Sequence, residues 1–282
     1  MTKIAVLMLI HRNDEQTFRL IKHLSKNFDV YVHIDKKSAV NTEDYSIENV
    51  FAYKELKVYW GGHTQILAVH YLLEKAFNKK YDRYILISGQ DLPIKSNQQI
   101  ADFFEKNNAE YISIEEKVTV GSRQKGGLDR VTKYWPNWLH RGKNPVMKVL
   151  FGFQYGLFMI FSTIKPRPVD YEFYKGPNWV NLTHKCVEKI VEYLKNNPTY
   201  INRFKWTNCA DELFYQTIVA QLNGLEVVND CLRYIDWSTT EYPKTLRKED
   251  YEKIANSNNL FARKFDTNKD KEIIEMIYEK VK

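Results

Sequence analysis

Two carboxylates stand side by side in "NCADELFYQTIVAQL" (208–222): Asp211 and Glu212 open a stretch that carries no further acid as far as Leu222. A solvated helix face spreads its acids along its length, so grouping both at one end leaves two readings. With Thr207 or Asn208 as N-cap the pair falls in the first helical turn, where free N–H groups and the helix dipole stabilise an acid by roughly 0.3–1 kcal/mol. The other reading is proton transfer. Leu213, Phe214, Ile218 and Val219 would desolvate a carboxylate and raise its pKa towards the range useful to a general base.

A second set of acids sits at predicted strand ends. "VHIDKKS" (32–38) and "ISGQDLPIKS" (87–96) each place an Asp, Asp35 and Asp91, just past an apolar run. That is where a parallel sheet covered by helices receives a nucleotide, and it is equally where an Asp makes a turn. Neither stretch is a glycine-rich phosphate loop, since GxGxxG and GxxxxGK[ST] are both absent. Breaking the bond between a sugar and a nucleoside diphosphate requires the departing charge to be neutralised, by a metal held on close carboxylates or by Lys and Arg. No Asp-x-Asp occurs anywhere in the chain. Arg233 in "CLRYIDWS" and the Arg263–Lys264 pair in "NLFARKFD" are the cations available for that task, against the alternative that each is a solvated surface charge.

The elements that must hold these residues alternate. "KIAVLMLI" (3–10), "FDVYVHI" (28–34), "VFAY" (50–53), "RYILIS" (83–88) and "EYISI" (110–114) read as strands. Between them "DEQTFRLIKHLSK" (14–26), with Phe18, Ile21 and Leu24 on its core face, "HTQILAVHYLLEKAF" (63–77), opened by Thr64, and "SNQQIADFFEKN" (96–107) read as helices. This order predicts an α/β fold with a mostly parallel central sheet flanked by helices. After the less regular 115–178 come "NWVNLT" (178–183), a helix over 184–197, the acidic-mouthed helix, "LEVVNDCLRYIDWS" (225–238) and a terminal helix in 270–282. The predicted organisation is one domain: a nucleotide-binding half (1–114), an acceptor and catalytic half (115–268) and a C-terminal helix (269–282).

Composition narrows the partners. The 282 residues carry a formal net charge of +7, which favours an acidic partner. Asp and Glu are interspersed among the cations, unlike the single basic stripe of a nucleic-acid binder, so no nucleic acid is expected. The three cysteines (Cys186, Cys209, Cys231) show neither CxxC spacing nor a nearby histidine, so no disulfide framework or zinc site is predicted and a reducing cytosol fits. "MTKIAVLMLIHRNDEQ" reads as a first strand and not a signal peptide, and nothing reaches the roughly 18 uninterrupted apolar residues of a spanning helix. The segment 146–164, apolar and aromatic and bracketed by Arg141, Lys143, Lys165 and Arg167, suits either a helix lying on an anionic membrane or, the commoner case, a buried helix.

In order along the chain, "VHIDKKS", "ISGQDLPIKS", "GPNWVNLT", "ADELFYQTI", "LRYIDW" and "NLFARKFD" resemble the core-2/I-branching β-1,6-N-acetylglucosaminyltransferase family. The resemblance covers nearly the whole chain to Asp266. It implies a GT-A nucleotide-binding fold and an inverting transfer from a UDP-sugar to an acceptor hydroxyl, giving a β-linkage without a metal ion or other cofactor. Carried over, the Glu of the family's D-E-x-x-x-x-T pattern is the catalytic base, which falls on Glu212, with Asp211 beside it orienting the helix start or a substrate hydroxyl. The Arg and Lys that hold the diphosphate fall on Arg233 and Lys264, with Arg263 adjoining. Asp35 is placed at the uridine with His33 next to it, and Asp91 on the floor of the same pocket.

The anchor, stem and disulfide cysteines of animal members are not found here, which suggests a bacterial enzyme of the cytoplasm or the inner membrane face. Its expected acceptor is a glycan or lipid-linked glycan of a surface polysaccharide or lipooligosaccharide. The same pattern also covers xylosyl and glucuronosyl transfer, and a non-catalytic nucleotide-sugar-binding protein would keep the pocket. Trp135, Trp138 and Trp179 are candidate sugar-stacking platforms, or core residues.

Overall fold

The computed structural model describes residues 2–119, 127–135, 145–238 and 242–282. Its main sheet is built first from β1 (Ile4–Ile10), β2 (Asp29–Ile34), β3 (Val50–Tyr53) and β4 (Arg83–Ser88). β1 lies between β2 and β4, β3 is added outside β2, and all four are parallel. The helices between them are α1 (Glu15–Leu24) and α2 (His63–Phe77). Because both faces of a crossover-connected sheet are covered, each strand buries both sides. Ile4, Val6, Met8 and Ile10 of β1 enter one core with Leu20, Ile21 and Leu24 of α1, while Ala5 and Leu7 enter the other with Ile66, Val69, Leu72 and Leu73 of α2.

The rest of the chain extends and caps this frame. β5 (Asp91–Pro93), α3 (Asn97–Lys106), β6 (Glu110–Ile112), β7 (Glu116–Lys117), α4 (Asp129–Thr132), α5 (Pro145–Ile164) and β8 (Tyr174–Lys175) lead to β9 (Val180–Thr183). β9 runs antiparallel between β4 and β6. Then follow α6 (His184–Asn196), α7 (Tyr200–Arg203), a 3₁₀ turn (Ala210–Glu212), α8 (Phe214–Val219), β10 (Val227–Val228), β11 (Arg233–Ile235), α9 (Tyr251–Ala255), β12 (Phe261–Arg263) and α10 (Lys271–Lys280). The main sheet has the order β10-β6-β9-β4-β1-β2-β3. Among the described residues β9 is its one antiparallel member, so the mostly parallel α/β sheet predicted from the alternation is what the chain forms. β5, β12 and β11 make a small second sheet at the carboxyl end of β4.

Several local expectations are corrected. Phe18 is 37% exposed, resting against Tyr45; the buried face of α1 runs through Thr17, Leu20, Ile21 and Leu24. The N-cap of α2 is Gly62, while the Thr64 hydroxyl accepts from the Tyr59 N–H (2.9 Å). The stretch 225–238 divides into two short strands in different sheets. Residues 146–164 form α5, and it is not a core helix: Ser162 is its one buried residue. Although Lys148 and Gln154 interrupt the apolar run, α5 is long and apolar enough to cross a membrane, with a mean hydropathy of 1.4.

Candidate active site

The parallel strands end on one edge, and the candidate residues gather along it. Leu9 of β1, Leu86, Ile87 and Ser88 of β4, Gln65 and Val69 of α2, Trp179, Asn178 and Asp211 are among the residues lining a small cleft, partly open to solvent. This is the carboxyl edge where α/β sheets receive ligands.

The acidic pair does not occupy the first turn of a capped helix. Asp211 and Glu212 belong to the 3₁₀ turn, separated from α8 by Leu213. Neither Thr207 nor Asn208 is its N-cap. That position is Cys209, in the left-handed region at φ 47°, with no side-chain cap. The Thr207 hydroxyl donates to the Phe204 carbonyl instead (2.6 Å). Dipole capping therefore does not account for the pair. What holds it is the "GPNW" stretch: Gly176 N–H donates to the Glu212 carbonyl (3.0 Å), Gln216 Nε2 to the Pro177 carbonyl (2.6 Å) and Asn178 Nδ2 to Asp211 Oδ2 (2.9 Å). Gly176 is required by space, since a Cβ there would lie 1.9 Å from the Ser113 carbonyl oxygen.

The two carboxylates face different surroundings. Asp211 accepts a second amide donor, Gln65 Nε2 (2.8 Å), whose own carbonyl is held by the Gly61 N–H (3.2 Å). Burial, and after it the neighbouring Glu212 charge, push the Asp211 carboxyl up to about 7. Glu212 is more open, with its side chain 40% exposed, and its Oε2 lies 2.7 Å from Arg130 Nη1. Arg130 is buried on α4, and its carbonyl accepts from the Asn208 N–H (3.1 Å). The desolvation expected of a carboxylate here falls on Asp211, while Leu213, Phe214, Ile218 and Val219 are buried in the core.

The raised Asp211 value has a consequence for stability. The folded chain holds this proton more tightly than the unfolded chain, whose carboxyl titrates near 3.8, so this contribution is complete below about pH 4 and is lost as pH rises to about 7. Thermal melts across pH 4–8 should show the wild type losing more stability through that window than Asp211→Asn, whose side chain does not titrate. Parallel pH profiles for the two proteins would refute it.

The strand-end acids organise loops. Asp35, buried after β2, accepts from Lys37 N–H (3.0 Å) and Val58 N–H (3.2 Å), with Lys37 Nζ 3.2 Å from its other oxygen. His33 is fully buried on β2; its Nε2 accepts from Leu56 N–H (3.2 Å), and burial lowers its pKa. Asp91 is fully buried, taking Ser88 N–H (2.5 Å) and Ser88 Oγ (2.6 Å) on one oxygen, while the other lies 3.7 Å from Arg263 Nε. The Arg263 guanidinium lies 4.2 Å from the centroid of Trp179, a cleft residue.

Lys264 follows Arg263 and is half-buried. Arg233 is not a surface cation. It is 5% exposed, and its guanidinium donates to Asn181 Oδ1 (3.0 Å) and to the carbonyls of Cys231 (2.6 Å) and Leu86 (2.8 Å). Burial lowers its pKa. Among the described residues no three His, Cys, Asp or Glu side chains converge as a metal site would require.

Of the candidate residues Asp211 lines the cleft, with Glu212 next to it in the chain; Asp91, Arg263 and Arg233 each touch a lining residue, Ser88, Trp179 and Leu86 in turn, whereas His33 and Asp35 lie on and just past β2, two strands away from β4. Of the three tryptophans, Trp179 lines the cleft. Trp135 is a packing residue, its Nε1 donating to the Asp129 carbonyl (3.0 Å), and Trp138 lies outside the described residues. Sequence reasoning missed four site residues. Asn178 lay inside a quoted motif without a role; Gln65 and Arg130 had no local signal, since each reaches its acid across the fold. Gln16, buried on α1, donates to the Gly89 and Phe265 carbonyls (3.0 and 3.1 Å) and accepts from Thr267, fastening the segment after β12 onto the end of β4.

Comparison with known proteins bears on this arrangement. The profile of the family described as Branch, Core-2/I-Branching enzyme, matches residues 4–258. Among solved structures the chain is similar to S. aureus TarS 1–349, at 14% identity and a TM-score of 0.41, over 81% of this chain and 58% of that one. It is also similar to the apo-form glycosyltransferase GlyE of Streptococcus pneumoniae TIGR4, at 9% identity and a TM-score of 0.37, over 93% of this chain and 54% of that one. The chain therefore spans little more than half the length of either protein. Among curated proteins no sequence matches it. With the profile running from the first strand through α9 and across every residue that lines the cleft, while Arg263 and Lys264 lie beyond its end, the chain belongs to the Core-2/I-Branching enzyme family.

Proposed function

We propose that this protein is an inverting, metal-independent glycosyltransferase that moves a sugar, N-acetylglucosamine by the family resemblance, from a UDP-sugar to a hydroxyl of an acceptor glycan. Glu212 is its base. The observation that carries this reading is the pairing of two unlike carboxylates at the cleft edge: Glu212 partly open and held by Arg130, Asp211 locked by two amides. Glu212 takes the proton of the acceptor hydroxyl as that oxygen attacks the anomeric carbon. The bond from that carbon to the UDP oxygen breaks on the opposite face, UDP leaves with the bonding pair, and an α-linked donor becomes a β-linked product.

Charge on the departing diphosphate is met by Lys264 and Arg263, with the buried Arg233 adding positive potential from behind. Asp35 and the loops it fastens receive the uridine, His33 fixes those loops from beneath, and Asp91 aims Arg263. No cofactor takes part. The lack of any Asp-x-Asp and the three cations late in the chain support metal independence. A glycan of a bacterial surface polysaccharide or lipooligosaccharide, lipid-linked and met at the inner face of the membrane, is the acceptor we favour.

The test is UDP release from UDP-N-acetylglucosamine, UDP-xylose, UDP-glucuronic acid, UDP-glucose and UDP-galactose, each with a mixture of sugar acceptors, with and without EDTA. One donor should turn over at a rate that EDTA leaves unchanged, and its identity chooses among the acetylglucosaminyl, xylosyl and glucuronosyl readings. Loss of turnover on adding EDTA would overturn the cationic stabilisation of the leaving group. UDP binding without consumption of any donor would favour a nucleotide-sugar-binding protein.

A further inference from the structure

We propose that α5 is a membrane-docking helix that lies in the headgroup layer of an anionic bilayer with its axis along the surface. One face of α5 is fastened to the protein. Tyr155 packs against Trp135, Phe158 stacks on Trp206 and Phe161 meets Tyr134, at centroid distances of 5.9, 5.8 and 5.2 Å. The buried Ser162 hydroxyl accepts from the Tyr134 N–H (2.8 Å) and donates to the Phe158 carbonyl (2.6 Å). The other face is a stripe of Val149, Phe153, Leu157, Ile160 and Ile164, every three or four residues, at 71, 68, 51, 61 and 78% exposure. At 1.5 Å per residue the helix is about 30 Å long. An apolar stripe of that length exceeds what soluble surfaces carry without a partner.

Charge selects the partner. The interspersion of acids among the cations breaks down at one place: from residue 130 to 167 the chain has seven Lys or Arg and no Asp or Glu. Two of these, Arg130 and Arg167, turn inward, to Glu212 and to the Arg203 carbonyl, while Lys148 and Lys165 stand exposed near the two ends of the helix. An apolar face with cations at its rim and no acid matches an anionic lipid surface. A second copy docked by a two-fold axis would set these same cations opposite one another. A transmembrane orientation would strip away the Trp206, Trp135 and Tyr134 contacts and carry Lys148 towards the hydrocarbon.

The docking plane is close to the chemistry. The inner face of α5 rests on the segment that carries Arg130, the partner of Glu212, and Trp206 lies three residues before Cys209 at the start of the acidic turn. The base would therefore be held near the bilayer, where the sugar of a lipid-anchored acceptor is presented. That last step rests on the glycosyl-transfer reading; the docking itself does not.

The experiment is flotation of the full chain with vesicles of phosphatidylcholine alone and of phosphatidylcholine with phosphatidylglycerol. The wild type should float with the anionic vesicles and bind neutral ones roughly tenfold more weakly. The triple variant Val149→Ser, Phe153→Ser, Ile160→Ser should stay at the bottom while keeping its thermal midpoint and its UDP release with a soluble acceptor. Lys148→Glu with Lys165→Glu should lose the preference for anionic lipid. Failure of the wild type to float, or equal flotation of the triple variant, would overturn the proposal. Self-association without flotation, abolished by the triple variant, would replace the membrane with a second copy. Because flotation requires no turnover, a failure of the catalytic reading would leave this result standing, and the reverse.

Discussion

Glu212→Gln should lower turnover by about 10²–10⁴-fold, the range supplied by a positioned general base, or about 3–5 kcal/mol of transition-state stabilisation. The substitution keeps the shape of the side chain and an oxygen able to accept from Arg130 Nη1, now 2.7 Å from the carboxylate, and it removes the group that takes the proton. UDP binding should stay near normal, because the proposed donor contacts lie elsewhere along the strand edge, on Asp35, Arg263 and Lys264. Initial rates of UDP release, together with calorimetric titration of UDP into the variant, separate the two effects. Normal turnover would sink the assignment and move attention to the adjacent Asp211, whose carboxyl is pushed up to about 7.

Arg233→Ala should cost about 3 kcal/mol of stability. Removing the guanidinium takes the donor away from Asn181 Oδ1 and from the Leu86 and Cys231 carbonyls, at roughly 1–3 kcal/mol for each buried group left unsatisfied, and opens a cavity over Phe261, whose ring centroid lies 4.6 Å from it. Relief of the buried charge offsets part of this. For a chain of this size the thermal midpoint should fall by about 5 °C. Lys264→Ala, at a half-buried position, should leave the midpoint in place and weaken turnover. An unchanged midpoint for Arg233→Ala would mean that the guanidinium is free to turn towards a diphosphate and that its inward anchoring is not what holds it.

The contrast between these two cations shows where reading the sequence stops. Both stand in short basic motifs after apolar runs, and nothing in "CLRYIDWS" or "NLFARKFD" distinguishes a buried arginine from a half-buried lysine. The difference arises because β11 and β12 pair with each other and β12 with β5, which turns Arg233 under the sheet edge and leaves Arg263 over Trp179. The pairing of β12 with β5 joins residues more than 100 positions apart, as Arg263 with Asp91, and no local periodicity carries it.

What the sequence determined by itself is the frame. Alternating runs of buried-strand and amphipathic-helix residues specify the parallel sheet, because each strand must bury both faces and each helix one, and the strand ends then place Asp35 and Asp91 on one edge. The adjacency of Asp211 and Glu212 was equally legible. The tertiary structure alone decided how the two acids differ. Gln65 from α2 and Asn178 from the loop before β9 lock Asp211, Arg130 from α4 holds Glu212, and Gly176 brings the loop against the Ser113 carbonyl so closely that no side chain fits. It also decided that α5, whose composition is commoner in a buried helix, keeps its apolar stripe outward: its aromatic inner face is saturated by Trp135, Trp206 and Tyr134, and a helix can bury only the face for which the fold supplies a partner.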